Sequence, residues 1–130
     1  MKCFDIMTLN PQMCIPDDKV VTAVKLMSRY NCNEIIVVED TESKKFVGIV
    51  TDRDIAMSIT KYHDPSNARV IDCMSIPFLC CKTEDSIEKA IRIAKQHNID
   101  HVPVVDKYGC CVGVVSLEYT ILDIPNWVWK

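Results

Sequence analysis

Gly48-Ile49-Val50-Thr51-Asp52-Arg53-Asp54 reads as the end of a strand turning into the start of a helix. The apolar run from Phe46 to Val50 stops at Thr51, and the amphipathic stretch Ile55-Ala56-Met57-Ser58-Ile59 follows. Thr51 and Asp54 have the spacing of a capping box, in which hydroxyl and carboxylate each accept the other residue's backbone N–H. The same junction presents a hydroxyl, a carboxylate and free N–H groups at a helix N-terminus, a place suited to an anion or a ribose. Seven residues leave both readings open.

Working outward, the stretch has a twin. Gly48-Ile49-Val50-Thr51 returns as Gly113-Val114-Val115-Ser116, and Asp5-Ile6-Met7 returns as Asp72-Cys73-Met74. Cys14, Asp18, Ala23 and Asn31 return at one constant offset as Cys81, Asp85, Ala90 and Asn98, and Val37-Val38 as Val104-Val105. The offset slips only between the last two blocks, where Asp40-Thr41-Glu42-Ser43-Lys44-Lys45 faces the shorter Lys107-Tyr108-Gly109-Cys110. Turns are where a repeat changes length without disturbing its core.

Each copy reads β-α-β-β-α. A short apolar strand opens it, Gln12–Ile15 or Phe78–Cys81. A helix follows, with Val20, Ala23, Val24 and Met27, or Ile87, Ala90, Ile91 and Ala94, on the buried face. Asp18 and Asp85 are the expected N-caps, with Glu88 completing a box-like pattern. Strands Ile35–Glu39 and Phe46–Val50, or His101–Val105 and Cys111–Val115, form a hairpin, and a last helix covers Asp52–Thr60 or Leu117–Asp123. The first helix is the crossover between parallel strands. The fold class is therefore α/β (α+β), two βαββα repeats packed as a pair so that each sheet buries its second face. The expected division is repeat one at 5–60, a polar linker at 61–69, repeat two at 70–123 and an aromatic tail at 124–130 that holds Trp127 and Trp129.

Composition narrows the function. The chain has 130 residues, 48% hydrophobic and 25% charged, the balance of an ordinary globular protein. A net charge of −3 without a Lys/Arg run argues against nucleic-acid binding. No apolar stretch is long enough for a membrane span, and Asp5 interrupts any signal-peptide pattern, so the expected location is cytoplasmic. Eight cysteines without a C-x-x-C pattern read as reduced thiols, several inside apolar runs.

The paired unit, with G-h-x-[ST]-x-x-D closing its hairpin, the Met7 and Met74 lead-ins and the run His101-Val102-Pro103-Val104-Val105-Asp106, resembles the cystathionine β-synthase (CBS) domain family. The resemblance covers the chain from about Asp5 to Asp123, and a single such pair resembles the stand-alone CBS-pair proteins of prokaryotes. It implies a pair with pseudo-two-fold symmetry (a Bateman module), assembled as a homodimer, that binds an adenosyl ligand such as AMP, ADP, ATP, an NAD-type molecule or S-adenosylmethionine. It implies regulation of an unidentified partner protein, with no required cofactor and no chemistry of its own.

Carried over residue by residue, the resemblance implies a ligand site of Gly48, Thr51, Arg53 and Asp54 with Phe78, Leu79, Cys80, His101, Val102 and Pro103. A carboxylate can accept from both hydroxyls of a ribose, and apolar strand residues can sandwich an adenine. The second site would take Gln12, Met13, Glu34, Ile35, Ser116 and Tyr119. It is degenerate: Tyr119 stands where the first copy has Asp54, and Glu34 stands where the second has His101. The competing readings are a ligand-free dimerisation module, a redox or metal sensor built on Cys80-Cys81 or Cys110-Cys111, and an enzyme using Cys80 with His101.

Overall fold

The computed structural model describes residues 1–59, 67–75 and 80–117. In order these form α1 (Cys3–Ile6), β1 (Thr8–Leu9), β2 (Met13–Cys14), α2 (Val20–Tyr30), β3 (Glu34–Val38), β4 (Phe46–Thr51) and α3 (Asp52–Ile59). There follow α4 (Val70–Cys73), β5 (Cys81–Lys82), α5 (Ile87–His97), β6 (His101–Val105) and β7 (Cys111–Ser116). The expected order β-α-β-β holds in both copies, and the helix after β4 holds in the first. In the second copy Leu117 is helical, and the remainder of the expected helix, with the Trp-containing tail, lies outside the described residues.

The chain divides into two compact units, and neither is a contiguous repeat. One spans Gln12–Phe78; the other joins Met1–Pro11 to the chain from Leu79 onward. The lead-in of each repeat therefore belongs to the unit built on the other repeat's sheet.

In the 12–78 unit the sheet order is β2-β3-β4. β2 and β3 are parallel, Met13 opposite Ile36, with α2 as the crossover, and β3 and β4 are antiparallel, Ile35 opposite Val50. Cys14, Val20, Ala23, Met27, Ile35, Val37, Val50, Ile55, Ala68 and Val70 form one core cluster. Its last two members come from the segment after the first repeat. That segment docks through Val20 N–H to Ala68 O, Val70 N–H to Asp18 O, and an Arg69–Asp17 ion pair. All five residues of β3 are buried, the pattern of a strand covered on both faces.

In the other unit the order is β1-β7-β6-β5. β5 and β6 are parallel, β6 and β7 antiparallel, and the lead-in adds β1 at the edge, Thr8 opposite Val114. Ile87, Ala90, Ile91 and Ala94 face inward as their spacing predicts.

Several local expectations change. Val24 is 44% exposed, so the buried face of α2 is Val20, Ala23 and Met27. Asp18 and Asp85 are not N-caps; Lys19 and Ser86 hold those positions. The two carboxylates instead close the preceding turns, accepting from Ile15 N–H at 2.9 Å and Lys82 N–H at 2.8 Å. Asp85 pairs with Lys89 at 3.0 Å, which replaces the expected pattern with Glu88. The first strand of each copy is two residues long, and β3 runs from Glu34 rather than Ile35.

Asn31 and Asn98, conspicuous in the repeat, terminate α2 and α5 at φ 50° and 54°. That is the left-handed conformation that stops a helix and that Asn tolerates better than most residues.

Candidate functional site

The β4–α3 junction is built as a reciprocal box. Asp54 N–H donates to Thr51 Oγ1 at 3.0 Å, and Thr51 N–H donates to Asp54 Oδ2 at 3.0 Å. The second carboxylate oxygen, Oδ1, accepts from Ser75 Oγ at 3.2 Å. The carboxylate is thus oriented from two sides, while Thr51 and Asp54 both stay half-exposed. Arg53 is exposed on the first turn, its N–H on Asp52 Oδ1 at 2.8 Å.

Ser75 reaches Asp54 because its backbone is clamped to β4, with Ile49 N–H on Ser75 O at 3.2 Å and Ser75 N–H on Ile49 O at 3.0 Å. Gly48 makes the clamp possible: a Cβ there would stand 2.5 Å from Ser75 O. The twin repeats the device, since a Cβ on Gly113 would stand 2.7 Å from Met7 Sδ and 2.9 Å from Thr8 O. The signature glycines therefore admit the exchanged lead-ins, a role sequence reasoning missed. The signal was present, because the lead-in Met recurs, as Met7 and Met74, wherever the signature Gly recurs, as Gly48 and Gly113.

Strand register settles which other expected residues are neighbours within each unit. Thr51 lies opposite Glu34, which is buried, and Ser116 lies opposite half-buried His101. Met13 and Ile35 lie on β2 and β3 of the 12–78 unit, and Gln12 immediately precedes β2. Val102 and Pro103 are buried in β6, and Cys80 is half-buried just before β5. Phe78, Leu79 and Tyr119 lie outside the described residues.

The geometry bears on two competing chemistries. Cys81 pairs with Val104, three positions along β6 from His101, and Cys80 precedes β5. Burial also pushes the Cys80 thiol up, away from the thiolate a nucleophile needs. Among the described residues, no group of three or more His, Cys, Asp or Glu side chains could hold a metal ion.

Comparison with known proteins places this architecture. The family model described as CBS domain matches twice, over residues 3–61 and 70–119. The chain belongs to the CBS domain family. A curated relative, inosine-5'-monophosphate dehydrogenase of Streptococcus pyogenes serotype M3, is 30% identical over 120 residues, 91% of this chain and 24% of the enzyme. The chain thus spans about a quarter of the length of that relative. The CBS domain pair of protein MJ0100, solved in complex with 5-methylthioadenosine and S-adenosyl-L-methionine, superposes with a TM-score of 0.77 at 25% identity, covering 95% of both chains. CBSX2 in complex with AMP gives 0.74 at 22% identity, covering 94% of this chain and 96% of that one, and so shows the fold. No helix among the described residues of this CBS pair is long and apolar enough to cross a membrane.

Proposed function

We propose that this CBS pair is a ligand-sensing regulatory module that binds an adenosine-containing molecule and passes its occupancy to a partner protein. The observation that carries the reading is the Thr51–Asp54 junction, a hydroxyl and a half-exposed carboxylate held by the helix terminus and by Ser75. A ribose diol needs such an oriented acceptor, and an oriented group loses little freedom on binding. The adenosyl complexes of MJ0100 and CBSX2 support the ligand class. Thr51, Arg53 and Asp54 are the proposed polar contacts, and Cys80 and His101–Pro103, with Phe78 and Leu79, the proposed base-contacting set. Gln12, Met13, Glu34, Ile35, Ser116 and Tyr119 form the proposed altered site. No bond-making chemistry is assigned to the chain.

Homodimer formation belongs to the same proposal. Val21, Val24, Tyr30 and Met57 leave large apolar side chains exposed on α2 and α3. A groove of about 510 Å³ lined by Val24, Asn31, Asp52 and Ala56 lies between these helices. Sedimentation of the purified chain as a monomer at all concentrations would remove the dimer from the proposal.

The test is a thermal-shift and calorimetric panel of AMP, ADP, ATP, NAD, 5-methylthioadenosine and S-adenosylmethionine. A ligand at about 100 times its dissociation constant adds roughly 2.7 kcal/mol, about 10 °C in Tm for a chain of this size. Asp54→Asn, assayed below its own melting temperature, should weaken binding at least tenfold. A panel without any shift, or unchanged affinity in Asp54→Asn, overturns the reading.

A further inference from the structure

The head of α3 is closed to anions. An α-helix leaves its first four N–H groups without partners inside the helix, and such groups attract phosphate. Here all four are engaged. Thr51 N–H donates to Asp54 Oδ2 at 3.0 Å, Asp52 N–H to Asn33 O at 2.9 Å, Arg53 N–H to Asp52 Oδ1 at 2.8 Å and Asp54 N–H to Thr51 Oγ1 at 3.0 Å. Two of these acceptors are carboxylates, so the positive end of the helix dipole already faces negative charge that the chain supplies. A third carboxylate stands across the sheet. Glu34, buried in β3, lies directly opposite Thr51, and paired residues of this kind have Cβ atoms about 4.5–5.5 Å apart.

Hydrogen bonding points the same way as charge. A carboxylate has about four acceptor positions, and Asp54 uses two of them, for Thr51 N–H and Ser75 Oγ. Those that remain match the two donors of a ribose diol. A phosphate near neutral pH brings acceptors instead, and it meets Asp52, Asp54 and Glu34 with Arg53 as the one cation of the turn. Arg53 is exposed, where water screens its charge. A ribose carries its 5′ carbon one ring away from the diol. A 5′-phosphate is therefore held within about 8 Å of Asp54, inside the screening length of physiological salt.

We propose that the Thr51–Asp54 junction selects against phosphate, so that the ligand it takes is an adenosine derivative with a neutral or cationic 5′ end and not a nucleotide. The inference rests on the adenosyl reading above and narrows it. Asp52 and Glu34 are the residues that set the preference: neither is needed to hold the diol, and both add negative charge beside it.

Calorimetry on the full chain with adenosine, 5-methylthioadenosine and AMP tests this. Adenosine and AMP differ only by the phosphate. Adenosine should bind about tenfold tighter than AMP or more, because like charges set side by side are costly, and 5-methylthioadenosine should group with adenosine. Raising the salt to about 1 M, where the Debye length is about 3 Å, should narrow the ratio by strengthening AMP. Asp52→Asn keeps an acceptor for Arg53 N–H and removes the charge. It should raise AMP affinity about threefold and leave adenosine within about twofold, the scale of one exposed charge. Glu34→Gln should move the ratio in the same direction from the opposite strand, with its melting curve recorded to establish that it folds. AMP binding as tightly as adenosine overturns the inference and leaves the adenosyl reading standing. So does a ratio that ignores salt and both substitutions. Absence of binding by all three compounds, and by the wider panel, removes the adenosyl reading and this inference with it.

Discussion

At the scale of single residues, Gly48 carries a structural demand that its own flexible backbone does not explain. Its need for a missing side chain comes from the Ser75 carbonyl, 2.5 Å from where a Cβ would stand. A backbone oxygen cannot rotate away as a side chain can. Gly48→Ala should therefore displace the Ile49–Ser75 bridge and cost about 1–3 kcal/mol, the usual range for overpacking. Urea unfolding of the intact chain checks this, and a loss below about 0.5 kcal/mol would show that the lead-in shifts freely. Gly109 provides the contrast, with open space around it but φ +82°. The sequence displayed both glycines, but not what each one faces. The Gly48 contact is made by a residue 27 positions away (75 − 48), through a lead-in whose own repeat lies elsewhere.

At the scale of elements, the capping box at the head of α3 was legible because its two bonds are local and its spacing is fixed. Strand and helix order was legible for the same reason, through periods of two and 3.6 residues. The four-residue helices α1 and α4 were not, since one turn has no period. Their signal was the repeated acid: Asp5 and Asp72 fold back to the Lys2 and Arg69 N–H groups at 2.9 and 3.0 Å. Exposure of Val24 was also hidden, because its place in the helical pattern matches that of buried Ile91. For α3 the box predicts that Thr51→Ala removes the bond to Asp54 N–H and costs about 1 kcal/mol, while Thr51→Ser keeps most of it. Faster amide exchange at Asp54 in Thr51→Ala, with β3 unchanged, is the expected signature. Equal stability of the two variants would mean that the hydroxyl serves a ligand and not the helix.

At the scale of the whole molecule, the exchanged lead-ins make one unit depend on two distant pieces of chain, residues 1–11 and the chain from Leu79 onward, while the other is contiguous. Residues 1–11 supply an edge strand to β7, the Cys3 side chain to the core, and three backbone hydrogen bonds to the 83–87 segment. At roughly 0.5–1.5 kcal/mol for each hydrogen bond, their loss alone removes about 1.5–4.5 kcal/mol, with the β1–β7 pairing and Cys3 burial in addition. Total stability of a domain is about 5–15 kcal/mol, so deletion should bring this unit close to unfolding. The 12–78 unit keeps its own lead-in, Ala68, Val70 and the Ser75 clamp, all of which come from inside it. Hydrogen exchange on a chain lacking residues 1–11 should therefore show protection collapsing across 81–117 while 13–14, 34–38 and 46–59 retain much of theirs. If the first-repeat strands lost protection first, the lead-in would be acting on the sheet of its own repeat, and the exchange of lead-ins would be wrong. A repeat alignment assigns residues 1–11 to the first copy because similarity follows chain order, whereas in the structure they pair with β7 and bond to the 83–87 segment of the second.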